Sequence, residues 1–252
     1  MLKISNLHMI FHPGEVNEVH ALKDISLHLP PGEFVAVIGS NGAGKSTLLN
    51  TIAGVFPCTR GQITIDDHNV TGWPEYRRAG LVGRVFQNPL MGTAASMTIE
   101  QNLTLAIKRG QKRGLRPGVT ARRRERFREA LAHFGLGLEH RLDARVSLLS
   151  GGQRQALTLL MATLARPKIL LLDEHTAALD PATAYKIVQL TNQIVDETHL
   201  TTIMVTHNMQ QALKMGTRTL MMHEGSILFN FFGQERDDLT VPKLLDMFAE
   251  VR

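Results

Sequence analysis

Cysteine, aromatic residues and long apolar runs are all scarce in this sequence, and each scarcity removes a class of protein. Of 252 residues one is cysteine, Cys58, so no internal disulfide framework is available and a reducing cytosol fits. Aromatics make up 5% of the chain, too few for the stacking platforms that bind single-stranded nucleic acid. No apolar run approaches the roughly 18 residues that a bilayer span needs. The start, Met1 to Asn6, lacks the apolar core of a secretory signal. Repeats and low-complexity segments are missing, as is any linker long enough to set off a second independent domain. What remains, 43% apolar and 20% charged, is ordinary for a soluble globular chain that can bury a sizeable core.

The net charge of +5 is concentrated in one place. Between residues 108 and 128, Lys108, Arg109, Lys112, Arg113, Arg116, Arg122, Arg123, Arg124, Arg126 and Arg128 are opposed only by Glu125. One reading is a solvated helical surface; another is contact with anionic lipid headgroups or acidic loops of a membrane partner. Nucleic acid fits less well, because only Phe127 interleaves with these charges.

The chain is organised around Gly39-Ser40-Asn41-Gly42-Ala43-Gly44-Lys45-Ser46-Thr47. The apolar run Phe34 to Ile38 before it predicts a buried strand, and Leu48, Leu49 and Ile52 after it have helical spacing. Strand, glycine-rich loop, Lys-Ser and helix form the context of a phosphate-binding P-loop. Glycines let successive N–H groups turn around a phosphate, and the helix start adds the positive end of its dipole. Lys45 then reaches the outer phosphates, and the Ser46 hydroxyl can ligate their magnesium. This implies a bound nucleotide.

Around that loop, residues 2–10 and 19–29 predict an antiparallel strand pair with Pro13-Gly14 as its turn. Further strands are predicted at Gly61–Asp66, Gly83–Phe86, Lys168–Glu174 and Thr201–Val205. Thr98 to Gln101 has the pattern of a capping box at a helix start. A helix is predicted from Pro181 to Glu197, a hairpin with Glu224-Gly225 as its turn, and a last helix from Pro242. Alternation of strand and helix over 168–223 predicts a parallel sheet with crossover helices.

Asp173 and Glu174 fall where an apolar strand surfaces, the edge at which α/β sheets bind ligands. Asp173 is placed to hold magnesium and Glu174 to polarise an attacking water. Gln87 and His207, also at strand ends, could reach the magnesium, the water or the γ-phosphate. Ser150-Gly151-Gly152 opens a helix and forms a second anion-accepting end. One nucleotide does not need both ends within one subunit. The economical geometry is a head-to-tail dimer in which each second loop closes on the partner's P-loop nucleotide.

Together these motifs closely resemble the ATP-binding-cassette ATPases. The run Leu149-Ser150-Gly151-Gly152-Gln153 after a P-loop is highly specific to them, and Ile169 to Glu174, Ala178-Leu179-Asp180 and His207 follow in the same order. The resemblance implies an α/β fold: a P-loop NTPase core with a mixed, largely parallel sheet, an N-terminal antiparallel β subdomain and an inserted helical subdomain. Residues 1–252 would be a single domain, with 1–87 and 151–252 forming the core and β subdomain and 88–150 the helical one. It implies ATP and Mg2+ as cofactors, with Ser46, Gln87 and Asp173 on the metal and Glu174 as catalytic glutamate. Lys45, Gln87 and His207 join it in hydrolysis, Ser150 to Gln153 contact the nucleotide across the dimer, and Asp180 lines the dimer seam.

Phe11 is the candidate to stack on adenine, with core packing as its other reading. His175 stands where the family usually has proline, which would add a titratable group near the γ-phosphate. The implied partners are a second copy of the chain, integral membrane permease subunits at the Gln87 loop and residues 88–150, and an extracytoplasmic solute-binding protein, with no nucleic acid. The implied location is the cytoplasmic face of the bacterial cell membrane. Phe11-His12-Pro13-Gly14, Gly83 to Gln87 and Leu90 to Ala94 are similar to ATPases of branched-chain or aromatic amino-acid uptake. An exporter subunit and a soluble, non-transport cassette ATPase are the alternatives.

Overall fold

A computed structural model describes residues 1–111, 114 and 117–250. Lys112, Arg113 and Arg116 of the basic stretch lie outside the described residues. The chain divides into two compact units, residues 1–78 with 198–252 and residues 79–197. The second contains the whole of 88–150.

In the first unit, alternating side chains make β1 (Leu2–Phe11) and β2 (Val19–Leu29) an antiparallel pair, with Leu2 opposite Leu29 and Phe11 opposite Val19. β4 (Arg60–Ile65) pairs with the other edge of β1, and the two-residue β5 (His68–Asn69) pairs with β4. β3 (Phe34–Gly39) has a parallel neighbour on each side, β8 (Thr201–Val205) and β9 (Arg218–His223). Phe34 to Ile38 and every residue of β8, Thr201 and Thr202 included, are buried, as strands covered on both faces are. β10 (Ser226–Phe232) returns antiparallel along β9 from the Glu224-Gly225 turn. Of the helices, α1 (Lys45–Ala53) packs on β2 and β3, α7 (Met209–Lys214) on β3, α8 (Gly233–Asp237) on β9 and β10, and α9 (Val241–Glu250) on α7.

In the second unit, β6 (Val82–Val85) and β7 (Ile169–Asp173) run parallel, with Val85 opposite Leu172. Around them lie α3 (Ile99–Ile107), α4 (Ala121–Ala132), α5 (Gly151–Thr163) and α6 (Pro181–Thr198). Thr98 caps α3 in the predicted capping box with Gln101. On α5, Gln155 to Ala162 are all buried, so this helix is covered on every side. Mixed parallel and antiparallel pairing with helices matches the expected α/β class.

The basic stretch is less uncompensated than its sequence suggests. Arg124 on α4 bonds Glu100 on α3 and Asp143, at 2.8 Å to each from Nη2, while Arg128 pairs with Glu125 at 3.1 Å. Among the described residues no helix is long and apolar enough to cross a membrane.

Candidate nucleotide site

The first unit carries the P-loop. β3 ends at Gly39, Ala43 N–H donates to Ser40 O at 3.2 Å, and α1 begins at Lys45 with Gly44 as N-cap. Gly44 has φ 94°, and a Cβ there would lie 2.5 Å from Ala21 O. No other residue suits that position. The first turn of α1 has neither a side-chain cap nor an acid, which leaves it electropositive toward an anion. Lys45 is 8% exposed, and its Nζ donates to Gly39 O and Ser40 O at 2.8 Å each, curling over the loop. The hairpin straps the loop from outside: Gly225 N–H donates to Ala43 O at 3.1 Å, and Lys23 N–H to Gly225 O at 2.8 Å.

His207 is exposed and follows β8, which is parallel to β3, so His207 and the P-loop leave the sheet at the same edge. Beside it, Asn208 caps α7 by accepting from Gln211 N–H, and Thr206 Oγ1 donates to Gln211 Oε1. Phe11, half-buried at the end of β1, meets Phe56 edge-on with ring centroids 5.2 Å apart. Gly39 to Thr47, Phe11 and His207 thus belong to one unit.

The second unit carries the other residues that the sequence singles out. Because β6 and β7 are parallel, Gln87 and the Asp173-Glu174 pair emerge at one sheet edge. Asp173, with a side chain 16% exposed, pairs with Arg84 Nη2 at 3.4 Å, and the Arg84 guanidinium lies 4.4 Å over the Phe86 ring. Glu174 has φ 41°, a left-handed conformation that costs a non-glycine residue roughly 1 kcal/mol or more. Such strain persists where surroundings enforce it.

Ser150 caps α5 reciprocally: its Oγ accepts from Gln153 N–H, and Gln153 Oε1 accepts from Ser150 N–H, both at 3.3 Å. A Cβ on Gly152 would lie 2.2 Å from Thr183 Cγ2, so the start of α5 sits against the start of α6 and a side chain here would make Thr183 shift. Asp180 caps α6, its Oδ1 accepting from Thr183 N–H at 3.0 Å. The Thr183 bonds hold its carboxyl below the usual range. Gln87, Ser150 to Gln153, Asp173, Glu174 and Asp180 are therefore gathered in this unit.

One expectation is overturned. His175 does not present a titratable ring to a phosphate. It is 2% exposed, its Nε2 meets Thr191 Oγ1 of α6 at 3.2 Å, and burial pushes its pKa down to about 4. The ring is a neutral core group at physiological pH.

Three residues of structural weight escape sequence reasoning. Arg84 and Arg78 look like ordinary surface cations, and Gln155 looks like one polar position in a helix. The Ser150–Gln153 box could have been read from its Ser-x-x-Gln spacing. The Ser46 hydroxyl in the first unit, and the Gln87 amide oxygen and Asp173 carboxylate in the second, are each hard oxygens of the kind magnesium takes. No group of three or more His, Cys, Asp or Glu among the described residues forms a cage.

Residues 22–177 match the family model of the ABC transporters. A tyrosine transport ATP-binding protein of Clostridioides difficile (strain R20291) is 45% identical over 250 residues, 98% of both chains. The thiamine import ATP-binding protein ThiQ of Yersinia pseudotuberculosis is 40% identical over 204 residues, 80% of both. The dimeric, post-hydrolysis structure of the ATP-binding cassette MJ0796 with ADP and Pi superposes with a TM-score of 0.78 at 31% identity, covering 92% of this chain and 98% of that one. The chain belongs to the ABC transporter family, as an ATP-binding and ATP-hydrolysing subunit of the importer kind.

Proposed function

We propose that this chain binds MgATP and drives uptake of an amino acid, of the aromatic or branched-chain class, by closing as a homodimer around two shared nucleotides. The observation that carries the reading is the presence of two anion-accepting helix starts, Lys45 on α1 and Ser150 on α5, in separate compact units. In the closed dimer the P-loop of one copy would face Ser150 to Gln153 of the other, with Asp180 at the seam. Lys45 holds the outer phosphates, and Ser46, Gln87 and Asp173 hold Mg2+. Glu174 polarises the water, His207 orients the γ-phosphate, and Phe11 stacks on adenine. Residues 88–150 act as a helical subdomain within one domain and, with the Gln87 loop, dock permease subunits at the cytoplasmic face of the membrane. A solute-binding protein outside completes the system, and no nucleic acid takes part. The tyrosine transport relative supports the solute class.

Glu174→Gln keeps the shape of the site and removes the base. It is expected to lower the ATPase rate by about a hundredfold or more while ATP still binds. It should also accumulate as a dimer at saturating MgATP, seen by sedimentation. A variant that stays monomeric there would end the shared-site reading. Co-purification of the tagged chain from solubilised membranes then tests the permease and the solute class.

A further inference from the structure

Gln155 is 1% exposed, and its side-chain amide spans three motifs. It sits on α5, five positions after Ser150. Its Nε2 donates to His175 O at 2.6 Å and to Phe86 O at 3.3 Å. Since both partners are carbonyls, they fix which end of the amide faces them. Phe86 immediately precedes Gln87, and His175 immediately follows Glu174. On its far side the His175 ring is held by Thr191.

Gln155 Oε1 is buried without a partner among the described residues. An amide kept in the core with its oxygen unsatisfied must offset that cost through its N–H bonds. Those bonds go to the main chain beside a strained residue. Glu174 at φ 41° needs neighbours that enforce its conformation, and the carbonyl one residue on is clamped by Gln155.

We infer that Gln155 is a positioning residue for hydrolysis: its amide ties the backbone before Gln87 and after Glu174 to the helix that starts at Ser150. Movement of the Gln87 segment, or of α5 as Ser150 engages a nucleotide, is thereby transmitted to the Glu174 main chain. This rests on the proposed role of Glu174 as base and of Ser150 as nucleotide contact.

Gln155→Met preserves length and burial and removes the two donors. With wild type, Gln87→Ala and the double variant beside it, kcat and KM for ATP are measured together with the melting temperature. The expected result is a fall in kcat of about tenfold or more with KM within about twofold. The double variant should be no slower than the slower single one, because both act on one linkage. A folded Gln155→Met enzyme with wild-type kcat, or with losses that simply multiply with those of Gln87→Ala, overturns the inference. A wild-type ATPase indifferent to Glu174→Gln would instead sink the underlying reading.

Should Gln155→Met fail to fold, the wild-type chain supplies the test. The Gln155 side-chain NH2 resonances, assigned through the backbone, should exchange slowly and shift both on MgATP addition and in Gln87→Ala. Resonances unmoved by either would overturn it.

Discussion

His175 shows how burial changes what a residue can do. In sequence it is a histidine beside two acids; in the fold it is a core group bonded to Thr191 with a pKa of about 4, because desolvation disfavours the imidazolium. The unfolded chain gains this proton near pH 6.5, while the native one does not until about pH 4. Stability from this group is therefore complete above pH 6.5 and lost as the pH falls toward 4, by about 3 kcal/mol in all. His175→Met should flatten the pH dependence of urea-unfolding free energy in that window relative to wild type. Equal slopes would mean the ring is hydrated in the native state. The strand, loop and helix around Gly44 and Lys45, in contrast, were legible residue by residue, since local backbone geometry dictates them. Gln155 and Arg84 were not, because their partners Phe86, His175 and Asp173 are distant in sequence.

At the scale of elements, the helix that presents Lys45 is held at its far end by Arg78. This guanidinium is 1% exposed and donates to four main-chain carbonyls. Nη1 reaches Thr51 O at 2.8 Å and Ile52 O at 2.9 Å, Nε reaches Trp73 O and Nη2 reaches Thr71 O, both at 2.9 Å. Two of the four belong to the last turn of α1, where the negative end of the dipole compensates a cation. Burial lowers the Arg78 pKa, but the group stays charged.

Arg78→Met should cost about 3 kcal/mol or more in urea unfolding, since several buried carbonyls lose their donor together. Arg78→Lys should recover little of that, because an ammonium cannot reproduce the planar fork. Full recovery by lysine would show that charge alone matters. The long elements were readable from periodicity and from the capping box at Thr98. β5 and α2 (Glu75–Arg78) were not, being two and four residues long and held by tertiary bonds such as these. Nothing in Tyr76-Arg77-Arg78 distinguishes a buried arginine from a solvated one.

For the whole molecule, sequence order predicts a P-loop and, with Ser150, a second anion-accepting helix start, while the partition of the chain into 1–78 with 198–252 and 79–197 follows from long-range packing. That partition puts Lys45 and Ser150 in different units, and the shared-site reading makes a prediction that mixing can test. A Lys45→Ala chain offers only an intact Ser150 loop, and a Ser150→Arg chain offers only an intact P-loop. Alone, neither forms a complete site in any symmetric dimer. Mixed in equal amounts, half of the dimers carry one of each, and each such dimer has one complete site of two. ATP retention, measured with Glu174→Gln added to both chains so that bound nucleotide persists, should rise to about a quarter of the level of the Glu174→Gln homodimer. If both motifs served the nucleotide of their own chain, mixing would restore nothing. A recovery near a quarter, absent from either chain alone, assigns the two helix starts to opposite subunits.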